Sequence, residues 1–330
     1  MMKVAVIGAG AWGTALAIQA AKAYPVKLWA RDSGHISGMK KARSNPKYLG
    51  DFTFPDHLEL TASLDEAVFT SDVIISSVPT SAFAEVIQNI QSIDSAKPII
   101  WTNKGLETNS SLFPHEIIHD HLINKDLAYG VLSGPSFAAE LVRDLPTAVT
   151  LATTNSDLSN SVAKIFHHGS MRVYLSDDIA GVTVGGSLKN IIAIASGISD
   201  GMGFGNNARA ALITRGIAEI TRFGKTLNAS EETFIGLAGI GDLLLTCTGQ
   251  YSRNREVGIR LAEGKSLDSI LSSLGHVAEG VNACFELVKR IKDTNIDMPI
   301  TCEVYRVLTN EISAKDAVKN LLSRSLTTEN

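Results

Sequence analysis

Hydrophobic and polar positions along this chain follow two regimes, and the change falls near its middle. In the first half, short apolar runs rich in β-branched residues alternate with segments of helical periodicity. Residues 4–7, 26–29, 72–78, 97–103, 127–132, 147–152 and 171–175 read as strands, and 14–23, 82–93 and 157–166 as helices between them. Such alternation predicts a doubly wound parallel sheet. After Asp177 the strand pattern stops. Apolar residues then recur at helical spacing over 179–222, 256–263 and 281–293. The chain therefore reads as an α/β first domain, residues 1–185, followed by an all-helical second domain, residues 186–330.

The opening stretch KVAVIGAGAWG, residues 3–13, superficially offers the basic start and apolar run of a signal peptide. Its glycines argue against a membrane helix, and the β-branched residues before Gly8 suit a buried strand. Gly8-x-Gly10-x-x-Gly13 lies between that strand and a helix-compatible run beginning at Thr14. In this context the three glycines have separate duties. Gly8 permits the bend, Gly10 lets the backbone approach a pyrophosphate, and Gly13 lets helix and strand pack closely. The helix N-terminus, with its free N–H groups, then faces the anion. The first domain is thus expected to be a dinucleotide-binding domain of the Rossmann type.

Composition narrows the rest. The 330 residues are 45% hydrophobic and 19% charged, which is ordinary for a two-domain globular chain. A formal net charge of -4 argues against general nucleic-acid binding. The three cysteines, Cys247, Cys284 and Cys302, are widely spaced and read as reduced thiols, and neither they nor the histidines show zinc-ligand spacing. The apolar region 179–198 is interrupted by Lys189 and Asn190, so no membrane span is expected. A cytoplasmic location follows as the expectation.

At the end of the second strand, Trp29-Ala30-Arg31-Asp32 bears on which dinucleotide binds. An acidic residue there accepts from a ribose 2′-OH, whereas an Arg accommodates a 2′-phosphate. Arg31 comes first, which favours NADP(H); Asp32 keeps NAD(H) open. Arg31 as a solvated loop cation is the plain alternative.

Two lysines could serve chemistry on a substrate. Lys104, in Thr102-Asn103-Lys104-Gly105, lies just beyond a strand, where ligands bind in open α/β sheets. Lys189 lies with Asn190 in an otherwise apolar helical stretch, Gly185-Gly-Ser-Leu-Lys189-Asn190. Such a lysine must be paired or line a cleft, and burial would bring its proton affinity toward a useful range. A structural ion pair explains it equally well. Asp242 and Thr246, four apart after a glycine-rich turn, share one helical face, although Asp242 could simply cap that helix. Ser252-Arg253-Asn254-Arg255 offers guanidinium and amide donors suited to a phosphate, or else solvated surface charge. Gly134-Pro-Ser136-Phe-Ala138 follows a strand as a turn with free N–H groups, suited to a cofactor or to plain chain reversal.

Taken together, GAGAWG at 8–13, TNKG around Lys104, SGPSFA at 133–138, GGSLKN at 185–190, GIGDLLLTC at 239–247 and SRNR at 252–255 resemble the bacterial NAD(P)-dependent glycerol-3-phosphate dehydrogenases nearly end to end. The order and joint presence of these pieces carry the resemblance. It implies reversible reduction of dihydroxyacetone phosphate to sn-glycerol 3-phosphate, the backbone precursor of phospholipids. By the same resemblance Lys189 is the catalytic proton donor in reduction. The substrate would be bound by Lys104, Asn190, Asp242, Thr246, Ser252, Arg253 and Asn254, with Gly134 and Ser136 beside it. The cofactor would lie against Gly8, Gly10, Ala11, Trp12, Gly13, Arg31, Lys104, Ala138, Arg253, Val277 and Glu279. Helical second domains of such dehydrogenases often pair, so a homodimer is an expectation by analogy. Two other readings stay open at this point: a hydroxy-acid or imine reductase of the same plan, and a dinucleotide sensor without turnover.

Overall fold

The computed structural model describes residues 1–274 and 278–325. By compactness the chain divides into two units, Met1–Lys104 with Leu112–Thr183, and Gly105–Ser111 with Val184–Asn330.

The first unit is built on one sheet of eight strands in the order β3-β2-β1-β4-β5-β6-β7-β8. The strands are β1 (Val4–Ile7), β2 (Val26–Trp29), β3 (Leu58–Thr61), β4 (Val73–Ser76), β5 (Ile99–Trp101), β6 (Tyr129–Ser133), β7 (Thr147–Thr153) and β8 (Met171–Ser176). Helices α1 (Ala11–Ala21), α2 (Ser33–Ala42), α3 (Leu64–Phe69), α4 (Phe83–Ile93), α5 (Pro114–His121), α6 (Ala138–Leu141) and α7 (Ser156–Phe166) connect them. Strands β1 and β4, at the centre, are buried at every position, which is why they read as unbroken apolar runs.

Two features differ from the sequence expectation. Strand β3 was not anticipated: Leu-Glu-Leu-Thr alternates over only four residues, too few to stand out, and it forms the edge beside β2. The sheet is parallel except at one pairing, where β7 runs antiparallel to β6. The chain returns to pair beside β6 after residues 134–146, which include α6, and the two strands approach closely at Gly134. Gly134 has a φ of +147°, and a Cβ there would come within 2.9 Å of Val149 Cα on β7, so only glycine fits at that approach.

The second unit is all-helical among its described residues. Its helices are α8 (Ile179–Gly201), α9 (Gly205–Lys225), α10 (Glu231–Phe234), α11 (Asp242–Thr248), α12 (Arg253–Ala262), α13 (Leu267–Leu274), α14 (Glu279–Ile291), α15 (Pro299–Leu308) and α16 (Ala314–Leu322). The first residues of α8 belong to the first unit and the rest to the second. Helix α8 alone, among the described residues, is long and apolar enough to cross a membrane, and 89% of its apolar window is buried within the protein. Residues Gly105–Ser111 join this unit through Gly105 N, which donates to Ser187 Oγ at 2.9 Å, and Leu106 O, which accepts from Asn282 Nδ2 at 3.1 Å.

Glu219 on α9 makes a buried tie to the start of α15. Its carboxyl oxygens accept from Ile300 N (2.6 Å), Thr301 N (3.1 Å) and Thr301 Oγ1 (3.0 Å). Burial outweighs those donors and pushes the carboxyl up to about 7 from an ordinary 4.5. The folded state therefore binds this proton more tightly than the unfolded chain does. The corresponding stabilisation is complete below pH 4.5 and is lost as the pH rises through 7. Wild-type protein is expected to lose on the order of 3 kcal/mol from this group over that window. A Glu219→Gln variant should lack this component, so the difference between the two denaturation profiles should slope downward with pH. Parallel profiles from pH 4.5 to 7.5 would contradict it.

Candidate active site

The glycine turn of the first unit assigns each glycine a distinct steric duty. Gly8 has a φ of +115°, and a Cβ there would come within 2.6 Å of Ser77 O beyond β4. At Gly13 a Cβ would stand 2.0 Å from Gly8 O, so only glycine lets α1 begin this close to the turn. Around Gly10, by contrast, a Cβ would meet nothing within 4 Å. The backbone is bare on that side, as a pyrophosphate-binding turn requires. Gly10 is also the N-cap of α1 and supplies no side-chain cap, which leaves the first-turn N–H groups to an external acceptor. Ala11 and Trp12 follow in that turn, both half-buried. These features fit a bound dinucleotide.

Beyond β2, Arg31 is exposed. Asp32 Oδ1 accepts from Gly34 N (2.8 Å) and His35 N (3.2 Å) and so caps α2. The His35 and Gly34 backbone donors hold the Asp32 carboxyl below its ordinary range. The acidic residue at this position is thus engaged by the helix that follows it, and the exposed cation beside it is Arg31.

Lys104 sits beyond β5, half-buried, with Nζ donating to Gly134 O at 3.4 Å. Ser136 Oγ donates to the same carbonyl at 3.0 Å. Lys104, Gly134 and Ser136 therefore gather beyond the carboxyl ends of neighbouring strands β5 and β6, where open α/β sheets bind ligands. Ala138 opens the short helix α6.

In the second unit, Lys189 and Asn190 lie on α8 and are 6% and 5% exposed. Lys189 Nζ donates to Asp242 Oδ1 and, at 2.8 Å, to Thr246 Oγ1. Asp242 is 1% exposed and Thr246 5%, and Thr246 Oγ1 in turn donates to Asp242 O at 2.6 Å. The ammonium, carboxylate and hydroxyl form a buried polar cluster. Such a pair is tolerated in an interior when its charges are paired and hydrogen-bonded. Two glycines let the backbones come this near. A Cβ at Gly185 would come within 2.7 Å of Ala238 O in the π-turn Leu237–Gly241, which leads directly into Asp242. One at Gly280 would lie 2.7 Å from both Asn190 O and Asn254 Oδ1.

The structure corrects one alternative and resolves another. The cap position of α11 belongs to Gly241; Asp242 is the first residue inside the helix and meets Lys189. A capping role falls instead to Ser252, whose Oγ accepts from Arg255 N at 3.3 Å at the start of α12. Within SRNR the two arginines part company. Arg255 Nε donates to Oδ2 of Asp200, whose side chain is largely covered, at 2.6 Å, and Arg209 holds the other oxygen of that carboxylate, so Arg255 is a structural cation. Arg253 is exposed in the first turn of α12. Asn254 is buried, its Oδ1 accepting from Gly280 N at 3.1 Å. Glu279 begins α14 and is half-buried; Val277 lies outside the described residues. Cys247 follows Thr246, but burial pushes its thiol up to about 12, so no thiolate nucleophile forms there.

Sequence reasoning overlooked Ser77, which Gly8 packs against, and Thr80, whose hydroxyl donates to Lys104 O at 3.3 Å. Neither carries a local pattern that marks it.

The sequence matches two family models in succession. Residues 3–159 match the N-terminal part of NAD-dependent glycerol-3-phosphate dehydrogenase, and residues 178–319 match its C-terminal part. A glycerol-3-phosphate dehydrogenase [NAD(P)+] of Methylobacillus flagellatus is 53% identical over 328 residues, covering 99% of both chains. Among solved structures, the glycerol-3-phosphate dehydrogenase of Coxiella burnetii superposes with a TM-score of 0.93 at 40% identity, over 98% of this chain and 99% of that one. The corresponding yeast enzyme gives 0.84 at 27% identity, over 98% and 99%. With both halves of the family model matched in order and relatives this similar along the whole length, the chain belongs to the NAD-dependent glycerol-3-phosphate dehydrogenase family.

Proposed function

We propose that this protein reduces dihydroxyacetone phosphate to sn-glycerol 3-phosphate, reversibly, with NADPH or NADH, and supplies glycerophospholipid synthesis. The observation that carries the reading is the buried Lys189–Asp242–Thr246 cluster in a chain of this family. On this reading residues 1–185 hold the dinucleotide and residues 186–330 the substrate, and the protein works in the cytoplasm as a homodimer. The dinucleotide, when bound, supplies the hydride. Gly8, Gly10, Ala11, Trp12 and Gly13 would hold its pyrophosphate region, and Arg31 its 2′-phosphate when that is present. Ala138, Val277 and Glu279 would flank it.

The remaining chemistry belongs to the chain. As the substrate carbonyl becomes an alkoxide, the Lys189 ammonium gives it a proton, and Lys104 stabilises the developing charge. Asp242 and Thr246 hold Lys189 Nζ in place through the bonds described above. Asn190 orients the polar end of the substrate, and Gly134 and Ser136 lie beside it. Arg253, with Ser252 and Asn254 at the N-terminus of α12, receives the phosphate, where a guanidinium fork and a helix dipole act in the same direction.

The direct test is NADPH absorbance decay with dihydroxyacetone phosphate or unphosphorylated dihydroxyacetone, in wild type and Arg253→Ala. Turnover confined to the phosphorylated ketone, with its KM raised at least tenfold in the variant, is expected. Equal use of both ketones would favour a phosphate-independent reductase, and no turnover in folded, NADPH-binding protein would favour a sensor. Arg31→Ala is expected to weaken NADPH roughly tenfold and leave NADH nearly unchanged, since only NADPH carries the phosphate that the guanidinium meets. Isothermal titration with each dinucleotide checks this, and equal losses would remove Arg31 from that role.

A further inference from the structure

We infer that Asn45 is a positioning residue for the dinucleotide turn, acting from a distant loop by holding the Ala9 carbonyl and so aiming the Gly10 N–H. The inference rests on the dinucleotide-binding reading of that turn. Asn45 lies after α2 and is 1% exposed, so it reaches a ligand only through other residues. Its Nδ2 donates to Ala9 O at 3.0 Å and to Thr14 Oγ1 at 2.8 Å, across sequence separations of 36 and 31 residues. Ala9 O can only accept, which decides which end of the amide faces it. Oδ1 is buried with no hydrogen-bond partner, so the amide's bonds are the two it donates to the turn.

Ala9 is the residue between Gly8 and Gly10. Because a peptide unit is planar and trans, its C=O and the following N–H point in opposite directions. Holding Ala9 O from the protein interior therefore turns Gly10 N–H away from Asn45, at a residue around which a Cβ would meet nothing within 4 Å. Without that hold, Gly10, with no Cβ to restrict its φ, leaves this peptide freer to rotate. The second bond ties the same amide to the first turn of α1, where Thr14 N already donates to Gly10 O at 3.0 Å. One side chain thus joins the turn to the helix it feeds. Asn45 is itself well anchored. Its carbonyl accepts from Leu49 N (2.9 Å), Gly50 N (3.1 Å) and Tyr48 N (3.2 Å), and Pro46 after it restricts its backbone to extended conformations.

The test is the affinity for NADPH and NADH, by titration, of wild type, Asn45→Asp and Asn45→Ala, each folded as judged by its own unfolding curve. Asn45→Asp keeps the shape and replaces the donor by a carboxylate facing Ala9 O. It is expected to weaken both dinucleotides at least tenfold at pH 8, and to recover on acidification as the protonated acid donates to Ala9 O. Asn45→Ala should weaken both about fivefold at every pH. In turnover the loss should fall on the dinucleotide KM and spare the KM for dihydroxyacetone phosphate. A purely structural Asn45 would lower the unfolding temperature and leave the affinity of the folded protein unchanged. That result, or an Asn45→Asp loss that does not recover in acid, overturns the inference. Wild-type protein that bound neither dinucleotide would overturn the functional reading itself, and this role with it.

Discussion

Replacing Lys189 by alanine is expected to lower kcat roughly a hundred- to ten-thousandfold, the usual contribution of a positioned general acid, while NADPH affinity stays within about twofold. The proton is needed only as the alkoxide forms. Its loss therefore raises the barrier without weakening ground-state binding of the dinucleotide. Lys189 is buried on α8, and Asp242 and Thr246 hold its Nζ. Truncation also vacates the volume of a long side chain in a closed interior. Small primary amines added to the variant should enter that space and restore part of kcat, with more basic and more bulky amines differing in effect. Steady-state assays over a series of amines measure this. Near-normal kcat with only a lowered melting temperature would make Lys189 a structural ion-pair residue, with Lys104 the next proton donor to test.

The second large effect is expected at its partner. Asp242→Ala leaves a buried ammonium without its counter-ion, and breaking such a pair from one side typically costs about 3–5 kcal/mol. Removing both charges is a different matter. In the double variant Lys189→Met, Asp242→Leu the interior becomes apolar, and much of that loss should return although catalysis stays abolished. Chemical denaturation of Lys189→Met, Asp242→Leu and the double variant forms the cycle. A loss in the double variant equal to the sum of the two single losses would mean that the pair is not energetically coupled. Asp242→Ala should also lower kcat, because an ammonium no longer held at one point spends less time aligned on the substrate oxygen.

The residues divide by how far along the chain their reasons lie. The strand, turn and helix at 4–21 could be read directly, because each glycine answers a demand made within a few positions. Lys189 and Asn190 stood out as polar residues in an apolar helix, for an equally local reason. The identity of Lys189's partner did not. Asp242 is 53 residues away, and it arrives only because Gly185 lets the turn before it press onto α8. The two arginines of SRNR look alike in one dimension; Asp200, packed beside one of them, separates a structural cation from an exposed one. Asn45 gave no signal, since the carbonyl it holds lies in another loop.

Sequence by itself determined the α/β character of the first half, the helical character of the second and the dinucleotide turn. These follow from periodicity and from backbone constraints that act over a handful of residues. Tertiary structure alone decided that β7 runs against β6, that Ser252 rather than Asp242 serves as a helix cap, and that Lys189 pairs with Asp242 and donates to Thr246. A side-chain period is the same for either strand direction, and a polar residue in an apolar run shows only that it needs a partner. Which partner reaches it depends on how closely the backbones approach, and that distance is set by packing across the whole core.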